Sequence, residues 1–475
     1  MSDNELCYLS AVEALERFKT RKLSPVELMQ ALIARAEAVE PRINAFPMTN
    51  FERAVEQARA AEAKYMKTDG RPRPLEGIAV AIKDETAVKG ARTTYGSLIF
   101  RDNIDTIDSG VVERLKRAGA IFHARSAAPE FSCAAICHSK LWGVTRNPWN
   151  PDYTPGGSSG GAAASLAAGT TTLANGSDIG GSIRIPASAC GVVGFKPPHG
   201  RNPEDVPFNL DLYSHSGPLA RTVADCRLMQ NVISGPHPRD IASLRPKLRI
   251  PEKLGDIKGW RIAYSLDLGY FEVDPEVARN TQAALQTFRD LGATVEPVDL
   301  GWTLACLSAA MNHLGHLFGA WIGQHLSRHR HELTDYARAF AEFAQTTTAA
   351  DFMGAMEHAG KMYGTLGPTL EKYRLLICPT LAVPAVAAEH DPTDTSFAIN
   401  GVKVDPMIGW CLTYPFNTMS RCPVMSVPSG FAESGVPTGI QIVGRTYDDV
   451  SVFRAAAAYE AARPWLDAPE RRPGL

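Results

Sequence analysis

The chain has 475 residues, 45% hydrophobic and 21% charged, with a formal net charge of −2. This suffices for one large domain or two to three ordinary ones, and near-neutrality gives no electrostatic case for nucleic acid or an anionic membrane as partner. The acidic start Met1-Ser2-Asp3-Asn4-Glu5 does not read as a secretory signal, no apolar run approaches a membrane span, and 9 scattered cysteines suit a reduced, cytoplasmic chain better than a disulfide framework.

Ser10-Ala11-Val12-Glu13 and Ser24-Pro25-Val26-Glu27 carry the capping-box pattern, with Pro25 at a first helical position. Leu28, Leu32 and Ala36, with Met29 and Ile33 beside them, form one helical face. From Gly77 the texture changes. Ile78–Ile82 is a continuous apolar run, the mark of a strand buried on both faces, and Lys83 and Asp84 close it. Val111–Ala118 predicts a helix stopped by Gly119, and Ala120–Phe122 another strand; this alternation indicates an α/β sheet. Residues 162–168 predict a small-residue helix, Asp225–Ile233 a further helix, and 235–258 a Pro/Gly-rich connector. Arg261–Tyr264 predicts a strand. Asp274-Pro275 then caps a helix carrying Val277, Ala284, Leu285, Phe288 and Leu291, with Gly292 as its stop. Residues 303–372 are mostly helical in pattern, and strand patterns return at Leu375–Cys378, Val424–Val427 and Gly439–Val443.

Two glycine-rich turns carry the chemistry. Gly156-Gly157-Ser158-Ser159-Gly160-Gly161 leads straight into a helix pattern, which argues against a flexible linker. It lacks the Lys-Ser/Thr of a phosphate loop, since Ala162 follows Gly161. It also formally matches a nucleophile elbow at Ser159, but Pro148, Pro151 and Pro155 disfavour the strand such an elbow must follow. In the second turn, Ile179-Gly180-Gly181-Ser182 can aim backbone N–H groups into one small volume, a nest suited to an oxyanion; the plain alternative is a tight turn before a helix. Lys83 is either a solvated loop residue or a base. To act as a base it must be neutral, which for free lysine holds for roughly one molecule in a thousand near neutral pH. Burial beneath apolar strands lowers that barrier.

At this point the chain resembles the amidase signature hydrolases. The resemblance rests on Gly77–Asp84, Gly156–Ala163 and Gly176–Ala187, and extends through Cys190–Pro197, Gly217–Val223, Cys378–Thr380, Pro415–Asn417 and Gly439–Gly444, nearly the whole chain. It implies a single large α/β domain with a central twisted mixed β-sheet flanked by helices on both faces. Within it, residues 1–65 would be a helical region packed on the core, 66–234 and 373–465 the signature core, and 235–372 a connector and variable helical insert shaping the substrate pocket. It also implies a Ser–cis-Ser–Lys triad: Ser182 as nucleophile, Ser158 as bridging acid/base after a cis peptide from Gly157, and Lys83 as general base. The backbone of Ile179, Gly180, Gly181 and Ser182 would form the oxyanion hole. Thr154, Ser159, Asp178 and Arg184 would support the network, and Ser132 and Cys133 would contact substrate. No cofactor or metal is implied.

The chain departs from the family pattern in three places: Glu85 stands where Asn is usual, His123-Ala124-Arg125-Ser126 where Gly-Lys-Thr-Asn is usual, and His199 follows Pro197-Pro198 where Thr-Tyr is typical. Cys133-x3-Cys137-His138 is too loose and solitary for a zinc site. His313, His316, His325, His329 and His331 read as a partly exposed helix face, and Met407, Trp410, Met419 and Met425 as core or pocket wall. The expected function is cleavage of a small-molecule carboxylic amide, with esters or carbamates as further substrates. The protein is expected in the cytoplasm, and a homodimer is compatible with this reading. The rival is the glutaminase subunit of a tRNA-dependent amidotransferase, and a binding module without catalysis is a third reading, disfavoured by the intact triad.

Overall fold

Short apolar runs and their polar ends build the sheet. The computed structural model describes residues 2–466, 468 and 471–475; Met1, at the head of the acidic start, lies outside them. Among the described residues, eleven strands form one sheet. They are β1 (Met48–Thr49), β2 (Ala79–Lys83), β3 (Ile121–Ser126), β4 (Leu173–Ser177), β5 (Val193–Lys196), β6 (Ser216–Ala220), β7 (Arg261–Tyr264), β8 (Thr294–Pro297), β9 (Leu375–Pro379), β10 (Val424–Phe431) and β11 (Pro437–Gly444). Their order is β1-β3-β2-β4-β6-β5-β10-β11-β9-β7-β8. Pairing is parallel in β3-β2-β4 and in β9-β7-β8, and antiparallel across the centre. The fold is therefore the single α/β domain with a mixed sheet that was expected.

β2, β9 and β11 are buried at every residue, as strands covered on both faces must be. The helix Pro25–Ile43 opens with the complete Ser24/Glu27 capping box. The helix Gly110–Ala118 ends at Gly119 in the left-handed conformation. β3 runs on to Ser126, past the predicted Phe122; of its polar side chains, His123 finds a partner inside, its Nε2 lying 3.0 Å from the Thr170 carbonyl. The Asp274-capped helix spans Pro275–Asp290.

The small-residue helix spans Gly160–Ala168 and is buried on all sides. A Cβ on Gly161 would lie 2.3 Å from the Ala127 nitrogen, so the helix approaches β3 as closely as it does only because that position has no side chain. Between β8 and β9 the chain is helical, including Ala305–Leu314, a π-type turn at Gly315–Gly319, Asp335–Ala344 and Ala349–Lys372. Among the described residues no helix is long and apolar enough to cross a membrane.

Candidate active site

Parallel pairing of β2 with β4 brings two strand ends together. Lys83 closes β2, Ser177 closes β4, and the loop that follows Ser177 carries Ser182. Such carboxyl ends are where open α/β sheets place their ligands. The Lys83 side chain has no solvent exposure. Its backbone N–H donates to Asn175 Oδ1 at 2.9 Å, while Nζ donates to Ser158 Oγ at 2.7 Å and to Ser177 Oγ at 2.8 Å. Glu85 Oε1 lies 3.2 Å from the same Nζ. Burial lowers the Lys83 pKa from its ordinary value, against the opposing pull of the Glu85 carboxylate. Burial raises the Glu85 carboxyl in turn, but Lys83 and the hydroxyls of Ser132 and Ser177 outweigh it, leaving Glu85 below its usual range.

Ser158 is fully buried and follows a cis peptide from Gly157. Its segment joins the Ser182 loop through the backbone, the Ser159 N–H donating to the Ser182 carbonyl at 3.1 Å. Ser159 Oγ donates to the Ser177 carbonyl at 3.4 Å. Thr154 accepts the Gly156 N–H at 3.2 Å and shapes the start of the same turn.

The Ile179–Ser182 loop is fixed from behind. Gly181 has φ +130°, and a Cβ there would sit 2.0 Å from Thr413 Oγ1. That hydroxyl donates to the Gly180 carbonyl at 2.7 Å. Below the loop, Arg184 donates to both oxygens of Asp178, at 2.9 and 2.8 Å, and both side chains are fully buried. Arg184 also donates to Gln441 Oε1 at 2.6 Å, Asn417 Oδ1 at 2.7 Å and the Thr413 carbonyl at 2.9 Å. Burial alone would raise the Asp178 carboxyl; the Arg184 guanidinium and Asn417 overcome it and hold the pKa at about 2.

Ser182, Ile179 and Gly180 face a cavity of about 40 Å³ that Ser132 and Cys133 also line. Its far wall comes from the helical stretch, through Met311, Leu314, Phe318 and Phe340, with Met407 and Ile408 beside them. Phe131 and Ser132 are consecutive non-glycine residues with φ of 53° and 56°, a conformation that turns the segment into the cavity. Burial pushes the Cys133 thiol well above its usual pKa. Among the described residues no group of three or more His, Cys, Asp or Glu is placed to hold a metal, and the His138 ring packs on Tyr336 at 5.3 Å. Trp410 and Met425 are core, whereas Met407 is pocket wall.

The histidine reading needs a correction. His313 is buried, with Nε2 2.8 Å from Asp211 Oδ1 and its ring stacked 3.7 Å from Tyr213. A carboxylate partner makes that burial tolerable, and no helical periodicity could reveal it. His331 is exposed, and the other three are half-buried, His316 on the π-type turn and His325 and His329 one helical turn apart.

With the geometry in place, the Amidase family matches the sequence over residues 27–453. The chain belongs to the amidase family. This amidase is 35% identical to an acylamidase of Rhodococcus erythropolis, with 98% of each chain covered. It is 33% identical to a component of the glutamyl-tRNA(Gln) amidotransferase of Geobacter metallireducens, covering 97% of this chain and 98% of that one. Among solved structures, a bacterial aryl acylamidase of the amidase signature family superposes with a TM-score of 0.89 at 31% identity, covering 96% of this chain and 97% of that chain. A 6-aminohexanoate cyclic dimer hydrolase superposes with a TM-score of 0.84 at 26% identity, covering 98% and 99%. The amidase is a hydrolase acting on amides.

Sequence reasoning missed several of its site residues. Ser177 lies inside the signature run and Asn175 just ahead of it, at strand spacing from each other, a usable signal. Asn417 and Gln441 sit in the C-terminal pieces that resemble the family, but nothing in their spacing points at Arg184. Thr413 carries no sequence signal.

Proposed function

We propose that this amidase is an acylamidase that cleaves amides of compact, neutral acyl groups through a seryl acyl-enzyme. The observation that carries the reading is a fully buried lysine, its Nζ 2.7 Å from Ser158 Oγ, beside a Ser182 loop that opens on an uncharged apolar cavity. In this reading neutral Lys83 accepts the Ser158 proton as Ser158 accepts the proton of Ser182. The Ser182 oxygen bonds to the substrate carbonyl carbon, and the carbonyl oxygen takes the negative charge. Backbone N–H groups of Ile179–Ser182 stabilise it; one such donor is typically worth about 100–1000-fold in rate. Protonated Lys83 returns the proton through Ser158 to the leaving nitrogen as the C–N bond breaks. Water then repeats the sequence on the ester. Asp178 and Arg184 hold the loop in place, with Thr154 and Ser159 shaping the Ser158 turn. Esters and carbamates fit the same acyl-enzyme chemistry. The nine cysteines, all buried, favour a reducing, cytoplasmic setting.

The cavity also weighs against the glutaminase alternative. Its lining has no charged side chain, so the α-ammonium and α-carboxylate of glutamine would be buried there without partners, a cost of several kcal/mol. Its volume of about 40 Å³ is a few times the ~10–15 Å³ that one water molecule needs, which suits a short acyl group. The similarity to acylamidases supports the same choice. A kinetic panel of acetanilide, longer acyl anilides and L-glutamine tests it. The expected kcat/KM is highest for the short acyl anilide and negligible for glutamine; efficient glutamine hydrolysis would overturn the proposal.

A further inference from the structure

A second cavity, of about 700 Å³, lies away from Ser182, between the helix Phe51–Met66 and β3. Its volume is that of an organic-ligand site. Seven of its lining side chains are Lys or Arg, and one, Glu76, is acidic. Glu76 is already engaged by two of the cations, Arg73 at 2.5 Å and Lys64 at 2.9 Å. Lys116 pairs with Asp108, outside the lining, at 2.6 Å. Arg53, Lys89 and Arg92 form no ion pair among the described residues, so they leave a concentrated positive charge around the opening.

Arg125 in the cavity wall is the informative residue. It is only 9% exposed. Its Nη2 donates to the Thr86 carbonyl at 2.9 Å and to Thr93 Oγ1 at 2.6 Å, and lies 3.9 Å from Asp84 Oδ1. Its Nε and Nη1 are buried without a hydrogen-bond partner. Sealed from solvent, these N–H groups offer the cavity a field rather than contacts, and a buried guanidinium behind a cavity wall favours an oxyanion in it.

We propose that this cavity binds a multiply charged oxyanion of organic-ligand size, phosphate- or carboxylate-bearing, with Arg53, Lys89 and Arg92 as its contacting charges and Arg125 as a buried charge behind its wall. The test is isothermal titration of the full-length amidase with pyrophosphate and with citrate, against sodium chloride at matched ionic strength. Saturable one-to-one binding of either anion is expected. A preference for pyrophosphate assigns a phosphate-bearing ligand, and a preference for citrate a polycarboxylate. Arg125→Gln is expected to weaken binding roughly tenfold, the scale of losing one nearby buried charge. Arg53→Glu combined with Lys89→Glu changes only exposed side chains; it is expected to weaken binding similarly while anilide hydrolysis stays at the wild-type rate. No binding of either anion beyond the chloride control, or wild-type affinity in either folded variant, overturns the assignment.

Discussion

Adding one methyl group at Gly181 tests the oxyanion loop. In Gly181→Ala the new Cβ would lie 2.0 Å from Thr413 Oγ1, 2.5 Å from Thr413 Cβ and 2.9 Å from Ile185 Cδ1. Ordinary carbon contacts are about 3.5–4.0 Å, so Thr413 or the loop must move by more than an ångström. Thr413 is poorly placed to yield, because its hydroxyl holds the Gly180 carbonyl at 2.7 Å and its own carbonyl takes an Arg184 N–H at 2.9 Å. A φ of +130° adds strain for any L side chain. The strain costs about 1–3 kcal/mol and the overpacking about 1–3 kcal/mol more. An ångström of displacement also removes the loop amides from the developing oxyanion, so kcat should fall by about 100-fold or more. Steady-state anilide hydrolysis and urea unfolding read the two effects separately. Thr413→Ala in the same background removes the hydroxyl clash but not the one at Cβ, and so restores stability only in part. A folded Gly181→Ala protein with wild-type kcat would refute the assignment of these amides.

Three further outcomes are expected. In Glu85→Gln the carboxylate that raises the Lys83 pKa is gone, so the base form persists to lower pH and the acid limb of kcat/KM moves down; a limb that stays put or moves up contradicts Lys83 as the titrating group. Asp178 is held at about 2 from an ordinary 3.8, a depression worth on the order of 2 kcal/mol of stability that is present above pH ~4 and lost as pH falls through ~2. Denaturant unfolding should therefore show Asp178→Asn strongly destabilised at neutral pH, with the gap to wild type narrowing as pH drops below 4; a constant gap would contradict the paired carboxylate. Phe318→Ala should open the acyl cavity at a cost of about 3–5 kcal/mol in stability. It should also raise kcat/KM for longer acyl anilides by about fourfold per accommodated methylene, and unchanged chain-length selectivity would remove Phe318 from the acyl pocket.

What the sequence displayed well is local. Ile78–Ile82 is legible as a buried strand because both its faces are covered, and the glycine–serine turns because backbone freedom is written into their composition. What it hid arises from distant pairing. β4, β5, β6 and β8 went unassigned, being short and interrupted by Gly, Asn or Pro. Ser177 reaches Lys83 only through parallel register between β2 and β4. Thr413, Asn417 and Gln441 converge on Arg184 from more than two hundred residues away. The left-handed turn at Phe131–Ser132 escapes because neither residue advertises positive φ. His313 escapes because its partner Asp211 lies 102 residues distant.

The central claim is that Ser182 is a nucleophile activated through Ser158 by a neutral Lys83. Native protein treated with a serine-directed fluorophosphonate, digested and mapped by mass spectrometry, tests it most directly. The account predicts a single phosphonylated residue, Ser182, with labelling abolished in Lys83→Ala and reduced but present in Ser158→Ala. An unlabelled Ser182 in native protein, or full labelling in Lys83→Ala, would contradict it.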